Sequence, residues 1–360
     1  MCTVVTSTED ALASRLLQST ISALELYGIY LGKELGLYDV LTAHGPLTPA
    51  GLARGAGITE RYAREWLEQQ AVAGVLKVDL PVADADARRY SLPLEHVNVL
   101  VADDHPSHLA PLAQMVAGIG GALPHVVNAY RHGGGVPYPM FGAAFRKGQA
   151  GINRPAFLAD LVERWLPAAP DVYRRLLSSS MRVADVGCGA GWSTIAMARA
   201  FPNAQVIGFD ADEASITDAR ANAAAQQIAV EFNTRDAQAI ADAGAFDLIL
   251  VLEALHDMAR PVDALTSLRR SLAPGGSVMV ADEKVADRFH APGDDTERLM
   301  YGWSIVHCLP VAMAESPSAA IGTVIRTDTV RQLAAAAGFA RVDVLPVDGG
   351  FFRLYRLSTE

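Results

Sequence analysis

Three glycines stand at every second position in Asp185-Val186-Gly187-Cys188-Gly189-Ala190-Gly191, immediately ahead of the segment WSTIAMARAF. Lacking a Cβ, glycines let the backbone turn tightly and bring its N–H groups against a ligand. The preceding residues VADVG are β-prone and the following ones helical, so the glycines fall at a strand-to-helix turn. A dinucleotide fingerprint G-x-G-x-x-G would put its third glycine at 192, where this chain has Trp192. That tilts the reading from NAD toward S-adenosylmethionine (SAM). Asp210 closes VIGFD, 19 positions beyond Gly191, where a carboxylate can accept hydrogen bonds from both ribose hydroxyls. The same Asp could equally cap the next helix. Asp236, in NTRDAQAI, is placed to meet an adenine amino group, and Ala237 leaves room for the ring. Taken in order along the chain, these features are more specific than any one of them.

Two histidines stand apart from this set. His256-Asp257 follows the apolar run FDLILVL, and His307 lies 51 positions later in YGWSIVHCLP. An imidazole with an ordinary pKa near 6.5 is suited to removing a proton from a phenol, acid or enol at neutral pH. Asp257 could orient that ring, although adjacent residues on a helix point in different directions. Two neutral imidazoles facing one cavity would suit Fe or Zn and leave positions open for a chelating substrate.

The elements that must position these residues begin after Met181. Short β-prone runs (VADVG, AQVIGFD, AVEFNT, FDLILVL, SVMVAD) alternate there with Ala-rich helical segments, the pattern of a parallel sheet with crossover helices. Leu272-Ala273-Pro274-Gly275-Gly276 reads as a helix stop and turn, and RVDVLPVD and FFRLYRL as a closing antiparallel hairpin. Ligands of such sheets bind beyond the carboxyl ends of the strands, where Gly187, Asp210, Asp236 and His256 fall. The fold class expected is α/β, a Rossmann-like domain of seven mainly parallel strands over 179–360.

Ahead of it, residues 14–30 have apolar side chains at helical spacing and are expected to form a largely buried helix. GKELGLYDVL, LTPAGLARGAGI and TERYAREWLEQQAVAGVL read as three short helices, with Thr48 and Thr59 as N-caps, and KVDLPV with RRYSLP as a hairpin. Three helices and a hairpin make a winged helix over residues 1–100. Its recognition helix carries Arg61, Arg64, Glu65 and Glu68, a balanced face rather than a basic one. Residues 101–178 form a helical connector whose glycines 133–135 could hinge a lid over the substrate.

Composition narrows the classes further. The formal net charge of -10 argues against a nucleic-acid partner, because duplex affinity rests on Lys and Arg neutralising phosphates. No apolar run reaches the roughly 18–20 residues that cross a bilayer. MCTVVTSTED lacks the basic and apolar regions of a secretory signal, so the expected location is cytoplasmic, with no membrane partner. Cys2, Cys188 and Cys308 have no ligand spacing such as CxxC and are read as small apolar residues.

With these residues in place, the chain resembles the class I SAM-dependent methyltransferases. DVGCGAG is similar to their first motif, Asp210 to the acidic residue after the second strand, and LAPGG to their late turn. A winged helix before such a domain resembles the small-molecule O-methyltransferases, in which that module makes a homodimer and contributes to the substrate pocket. VLEALHD is similar to the segment that carries their general-base histidine, which implies that role for His256 with Asp257 beside it. The tail departs from the family's Trp-Ser-Asp, reading Met258-Ala259-Arg260. The alternative resemblance, to metal-assisted C-methyltransferases of α-keto acids, implies His256 and His307 as metal ligands. From another class, a winged-helix regulator that senses SAM would demand the basic recognition face that this sequence lacks.

Overall fold

The computed structural model describes residues 8–79 and 84–360. Cys2 and residues 80–82 of the first wing segment therefore lie outside the described residues. The chain falls into two compact units, one running to Ala117 and including Lys147–Ile152, the other comprising Gly118–Arg146 and Asn153–Glu360.

In the first unit α1 (Thr8–Glu34) leads to α2 (Leu37–His44), α3 (Pro49–Ala56) and α4 (Glu60–Val72). The wing β1 (Lys77–Val78) and β2 (Tyr90–Ser91) is antiparallel, and α5 (Leu94–Leu100) follows. Thr48 caps α3 by accepting from Gly51 N at 3.2 Å, whereas Thr59 holds the N-cap position of α4 without a side-chain bond. Leu37, Tyr38, Leu41, Leu52, Trp66, Leu67 and Tyr90 make the core. Trp66 donates to the Gly28 carbonyl at 2.8 Å, and a Cβ at Gly32 would collide with the Tyr38 and Trp66 rings. Glycine is therefore what lets α1 lie directly on α4.

The expectation of a largely buried first helix is corrected. Of α1 only Gly28 and Gly32 are fully buried, while Leu16, Leu17 and Leu24 are 59%, 64% and 63% exposed. Its apolar face turns away from the chain's own core because the two glycines face α4 instead. On α4, Arg61 pairs with Glu65, Arg64 with Asp86 and Glu68 with Arg88, so the charges read from the sequence as balanced are paired.

Helices α6 (Pro111–His132) and α7 (Gly142–Pro155) each give residues to both units. A π-helical stretch, Ala156–Trp165, continues from Pro155, which has no N–H to donate into a regular α-turn.

The second unit continues with α8 (Pro170–Ser178), β3 (Arg182–Val186), α9 (Trp192–Ala200), β4 (Gln205–Asp210), α10 (Glu213–Ala225), β5 (Glu231–Thr234) and β6 (Phe246–Leu252). Then come α11 (Pro261–Arg270), β7 (Leu272–Glu283), α12 (Asp295–Trp303), α13 (Leu309–Ala312), α14 (Thr327–Ala336), β8 (Arg341–Val344) and β9 (Phe352–Ser358). The seven strands order as β5-β4-β3-β6-β7-β9-β8. The first five are parallel, and β9 runs antiparallel to both β7 and β8. This is the α/β sheet expected.

LAPGG differs from expectation in detail. Leu272 pairs with Phe246, the next pair is Ser277 with Leu248, and the residues between form an irregularity within β7 rather than a turn before it. A Cβ at Gly276 would meet the Phe246 carbonyl at 2.9 Å, so glycine permits the close pass. Buried Val, Ile and Leu of β6 and β7, with no alternation, mark strands covered on both faces. No helix among the described residues is long and apolar enough to cross a membrane.

Candidate active site

The strand order reverses between β3 and β6, and the glycine loop leaves β3 at that point. Gly187 and Cys188 donate to the Phe209 carbonyl at 2.8 and 3.0 Å, which ties the loop to the end of β4. Gly187 and Gly191 have φ of 75° and 80°; a Cβ on the first would strike Ala254 and on the second Phe232 and Ala219. These two positions require glycine both for their backbone and for the space they leave. Around Gly189, by contrast, a Cβ would meet nothing within 4 Å.

Asp185 is fully buried, and its Oδ2 accepts from the Ser193 and Thr194 hydroxyls at 2.6 Å each. It thus fastens the start of α9 beneath the loop, while its Oδ1 has no hydrogen-bond partner among the described residues. Asp210, at the end of β4, accepts from Gly189 N and from Asp212 N, both at 2.8 Å. Burial pushes its carboxyl up to about 6, against the opposing pull of those two N–H donors. Asp236 is exposed and accepts from Gln238 N at 2.7 Å, capping a short 3₁₀ turn in which Ala237 packs on the core. The structure therefore gathers Asp185, Gly187, Gly189, Gly191 and Asp210 around one turn, with Asp236 and Ala237 after β5.

His256 sits in a 3₁₀ turn, Leu255–Asp257, beyond β6. It is 2% exposed, and its Nδ1 lies 2.6 Å from Oδ1 of Asp282 near the end of β7. With the Nδ1 proton donated to that carboxylate, Nε2 carries the ring's lone pair, 3.4 Å from Asp257 Oδ1. Burial works against the imidazolium here, but the carboxylates of Asp282 and Asp257 outweigh it and hold the His256 pKa well above the ordinary range. The expectation of a histidine near 6.5 is accordingly revised upward.

Two further carboxyls, Glu253 and Glu283, lie within electrostatic reach of this imidazole. Glu253 adopts φ of 55°, left-handed backbone that is costly for a residue with a side chain, and Asn153 donates to its carboxylate. Burial pushes Glu253 up to about 7 and raises Asp257 and Glu283 as well. Two groups of side chains could hold a metal: His256, Asp257 and Cys308, and His256, Asp282 and Glu283. Both contain His256 and neither contains His307.

His307 ends up elsewhere in character. It is 1% exposed, stacked on Phe145 at 3.9 Å and edged by Phe141 and Tyr138. Burial, with the charge of His256, pushes it down to about 3, so it stays neutral, and its Nε2 has no hydrogen-bond partner among the described residues. The 133–135 glycines lead into this aromatic cover. Gly133 and Gly134 both have φ of 78°, and Val136 N donates to Pro310 O at 2.8 Å. Burial, and then the charges of Asp210, Asp212 and Asp257, raise the Tyr138 phenol, whose ring meets those of Phe145 and His307 edge-on.

Sequence reasoning missed Glu253, Asp282 and Glu283, although the rule that sites gather at strand carboxyl ends would have picked them out. It read Cys308 as an apolar filler and did not single out Tyr138; no spacing signals either. A separate surface cavity of about 430 Å³ is lined by Lys284, Asp294, Glu297 and Phe351 among others and includes none of the His256 group.

Comparison with known proteins bears on both parts of the chain. Residues 177–338 match a family described as a methyltransferase domain, and residues 22–102 one described as an Rv2258c-like winged HTH domain. The ubiquinone biosynthesis O-methyltransferase of Roseobacter denitrificans is 36% identical over 110 residues, 30% of this chain and 42% of that protein. That of Sinorhizobium medicae is 33% identical over 129 residues, 36% of this chain and 50% of that protein. The chain thus spans half or less of the length of these curated relatives. Among solved structures, mitomycin 7-O-methyltransferase MmcR superposes with a TM-score of 0.69 at 18% identity, covering 97% of this chain and 98% of that one. Human N-acetylserotonin methyltransferase in complex with SAM gives 0.65 at 19% identity, covering 99% of each chain. At such identities the likeness establishes the fold.

Proposed function

The chain joins a class I methyltransferase domain to an N-terminal winged HTH domain, and on that premise we propose that it moves a methyl group from SAM to an oxygen of a small molecule. The observation that carries this reading is the pairing of His256 with Asp282, His256 following β6, the strand beside the one that leads into the glycine loop. SAM brings its own leaving group, so the protein has only to align the acceptor in line with the methyl carbon, exclude water and take one proton. Asp210 and the glycine loop would hold the nucleoside, with Asp236 and Ala237 at the adenine.

His256 Nε2 would take the acceptor's proton, while Asp282 fixes the tautomer and balances the imidazolium. The cover formed by Tyr138, Phe141 and Phe145 would keep water away. A screen with methyl-labelled SAM against phenols, carboxylic acids and enols tests the proposal. Transfer to one of these is the expected result, and failure to bind SAM at all in calorimetry would refute it.

A competing reading makes His256 and His307 ligands of Fe or Zn for C-methylation of an α-keto acid. The unpartnered Nε2 of His307 speaks for it, and the position of His307 outside both potential ligand groups against it. A SAM-sensing regulator is disfavoured by the paired charges of α4.

The partner proposed is a second copy of the chain, met through the N-terminal domain. Leu17, Ile21, Leu24 and Leu31 repeat at steps of three, four and seven along α1 and are 64%, 40%, 63% and 48% exposed. That is the seam of a helix that packs against another helix. Light scattering should show a dimer for the full chain, and deletion of residues 1–100 should abolish it. A stable full-length monomer would contradict the assignment.

A further inference from the structure

We propose that His256 Nε2, Asp257 Oδ1 and Cys308 Sγ form a three-donor site for a thiophilic divalent ion, zinc above all, and that an ion seated there blocks methyl transfer. The inference rests on the reading of His256 as the acceptor's base, because the lone pair that takes the proton is the one that would bind the ion.

One ligand atom from each of these three residues lies within 4.8 Å of those of the other two. His256 and Cys308 are 2% and 7% exposed, and the Asp257 side chain 19%. Metal–nitrogen and metal–oxygen bonds of about 2.0–2.1 Å at tetrahedral angles separate two donors by about 3.4 Å. The distance from His256 Nε2 to Asp257 Oδ1 is 3.4 Å. Asp257 Oδ1 is buried and makes no hydrogen bond among the described residues, and its contact with Nε2 is an ion pair that lasts only while His256 is protonated, so a neutral imidazole leaves both donors open to an ion.

A second feature points the same way. Asp282 holds the other ring nitrogen at 2.6 Å, the outer carboxylate that typically orients a metal-bound histidine and fixes its tautomer. One nitrogen, one carboxylate oxygen and one sulfur suit zinc better than magnesium or calcium, which prefer oxygen alone. Binding would form Zn–N, Zn–O and Zn–S bonds and release to solvent both the Cys308 thiol proton and the Nε2 proton of a protonated His256. His256 would then have no lone pair for the acceptor. The fourth tetrahedral position stays open for water or acceptor oxygen, so zinc and acceptor compete at one place.

The site was not legible as a ligand spacing, because two of its donors are adjacent, His256-Asp257, and the third, Cys308, lies 51 positions after Asp257. His307 itself stacks on Phe145, and its Nδ1 lies 3.4 Å from Cys308 Sγ without belonging to the donor group.

The experiment is a titration of the chelator-stripped, full-length protein with zinc alone, followed by calorimetry, with cobalt as a spectroscopic substitute. One zinc per chain is expected, together with a near-ultraviolet sulfur-to-cobalt band. Cys308→Ser should lose that band and weaken zinc at least about tenfold, as should Asp257→Asn, while His307→Ala should keep the band and the stoichiometry. With an acceptor from the methyl-transfer screen, zinc should inhibit competitively against that acceptor and a chelator should restore turnover. A protein that binds SAM and transfers methyl groups but takes up no zinc, or whose cobalt band survives Cys308→Ser, overturns the ion site and leaves the methyltransferase reading standing. One that takes up zinc through Cys308 but binds no SAM upholds the ion site and overturns the methyltransferase reading instead.

Discussion

Replacing His256 with Ala is expected to lower turnover by roughly a hundredfold to ten-thousandfold, the usual worth of a positioned general base. His256→Ala should leave SAM affinity within a few-fold, since the binding loop and Asp210 belong to other strand ends. Replacement of His307 should act mainly through acceptor binding, because that ring is neutral and packed among Tyr138, Phe141 and Phe145. The pH profile adds a direction. Asp282 and Asp257 overcome the burial penalty and keep His256 protonated well above the ordinary histidine range, so the base is competent only once that proton has left. The rate at low acceptor concentration should therefore rise with pH and level off above about 6.5, the unperturbed value. A midpoint below that, or full turnover in His256→Ala, would remove His256 from the proton transfer. If both histidines instead hold Fe or Zn, either replacement should strip the metal and a chelator should inactivate the wild type.

Asp210→Ala is expected to weaken SAM by about one to a few kcal/mol, measured by calorimetry. The reason lies on both sides of the carboxylate. Its oxygens accept from Gly189 N and Asp212 N, so it couples the glycine loop to the end of β4 before any ligand arrives. Losing it would remove the ribose acceptor and slacken the loop together. Asp210→Asn keeps one acceptor oxygen and should lose less than the Ala variant. Equal SAM affinity in wild type and Asp210→Ala would refute the ribose assignment.

Which strands and helices form on either side of the glycine loop is legible in the chain alone, because period and turn chemistry are local. Gly187 and Gly191 were legible as glycines of a strand-to-helix turn, although the Ala254, Phe232 and Ala219 contacts that leave no room for a side chain there come from distant segments, and β6 and β7 show their burial in the runs LILVL and VMVA. Asp210 was legible from its distance to the loop, since a crossover helix has a nearly fixed length. The sequence also supplied the winged-helix order and the balanced charges of α4.

Which side chains stand together at the strand ends is, by contrast, a property of the folded sheet. Asp282 is 26 positions from His256 and Cys308 is 52 beyond it, so no spacing could announce the 2.6 Å contact with the one or the shared ligand geometry with the other. Against its own burial, Asp282 and Asp257 hold His256 upward, while burial and then the charge of His256 push His307 downward, because electrostatics depend on burial and distance rather than on residue type. The exposed face of α1 follows the same logic. Its apolar spacing is written in the sequence, but which side meets the core was settled by Gly28 and Gly32, the two places where α1 can approach Trp66 and Tyr38.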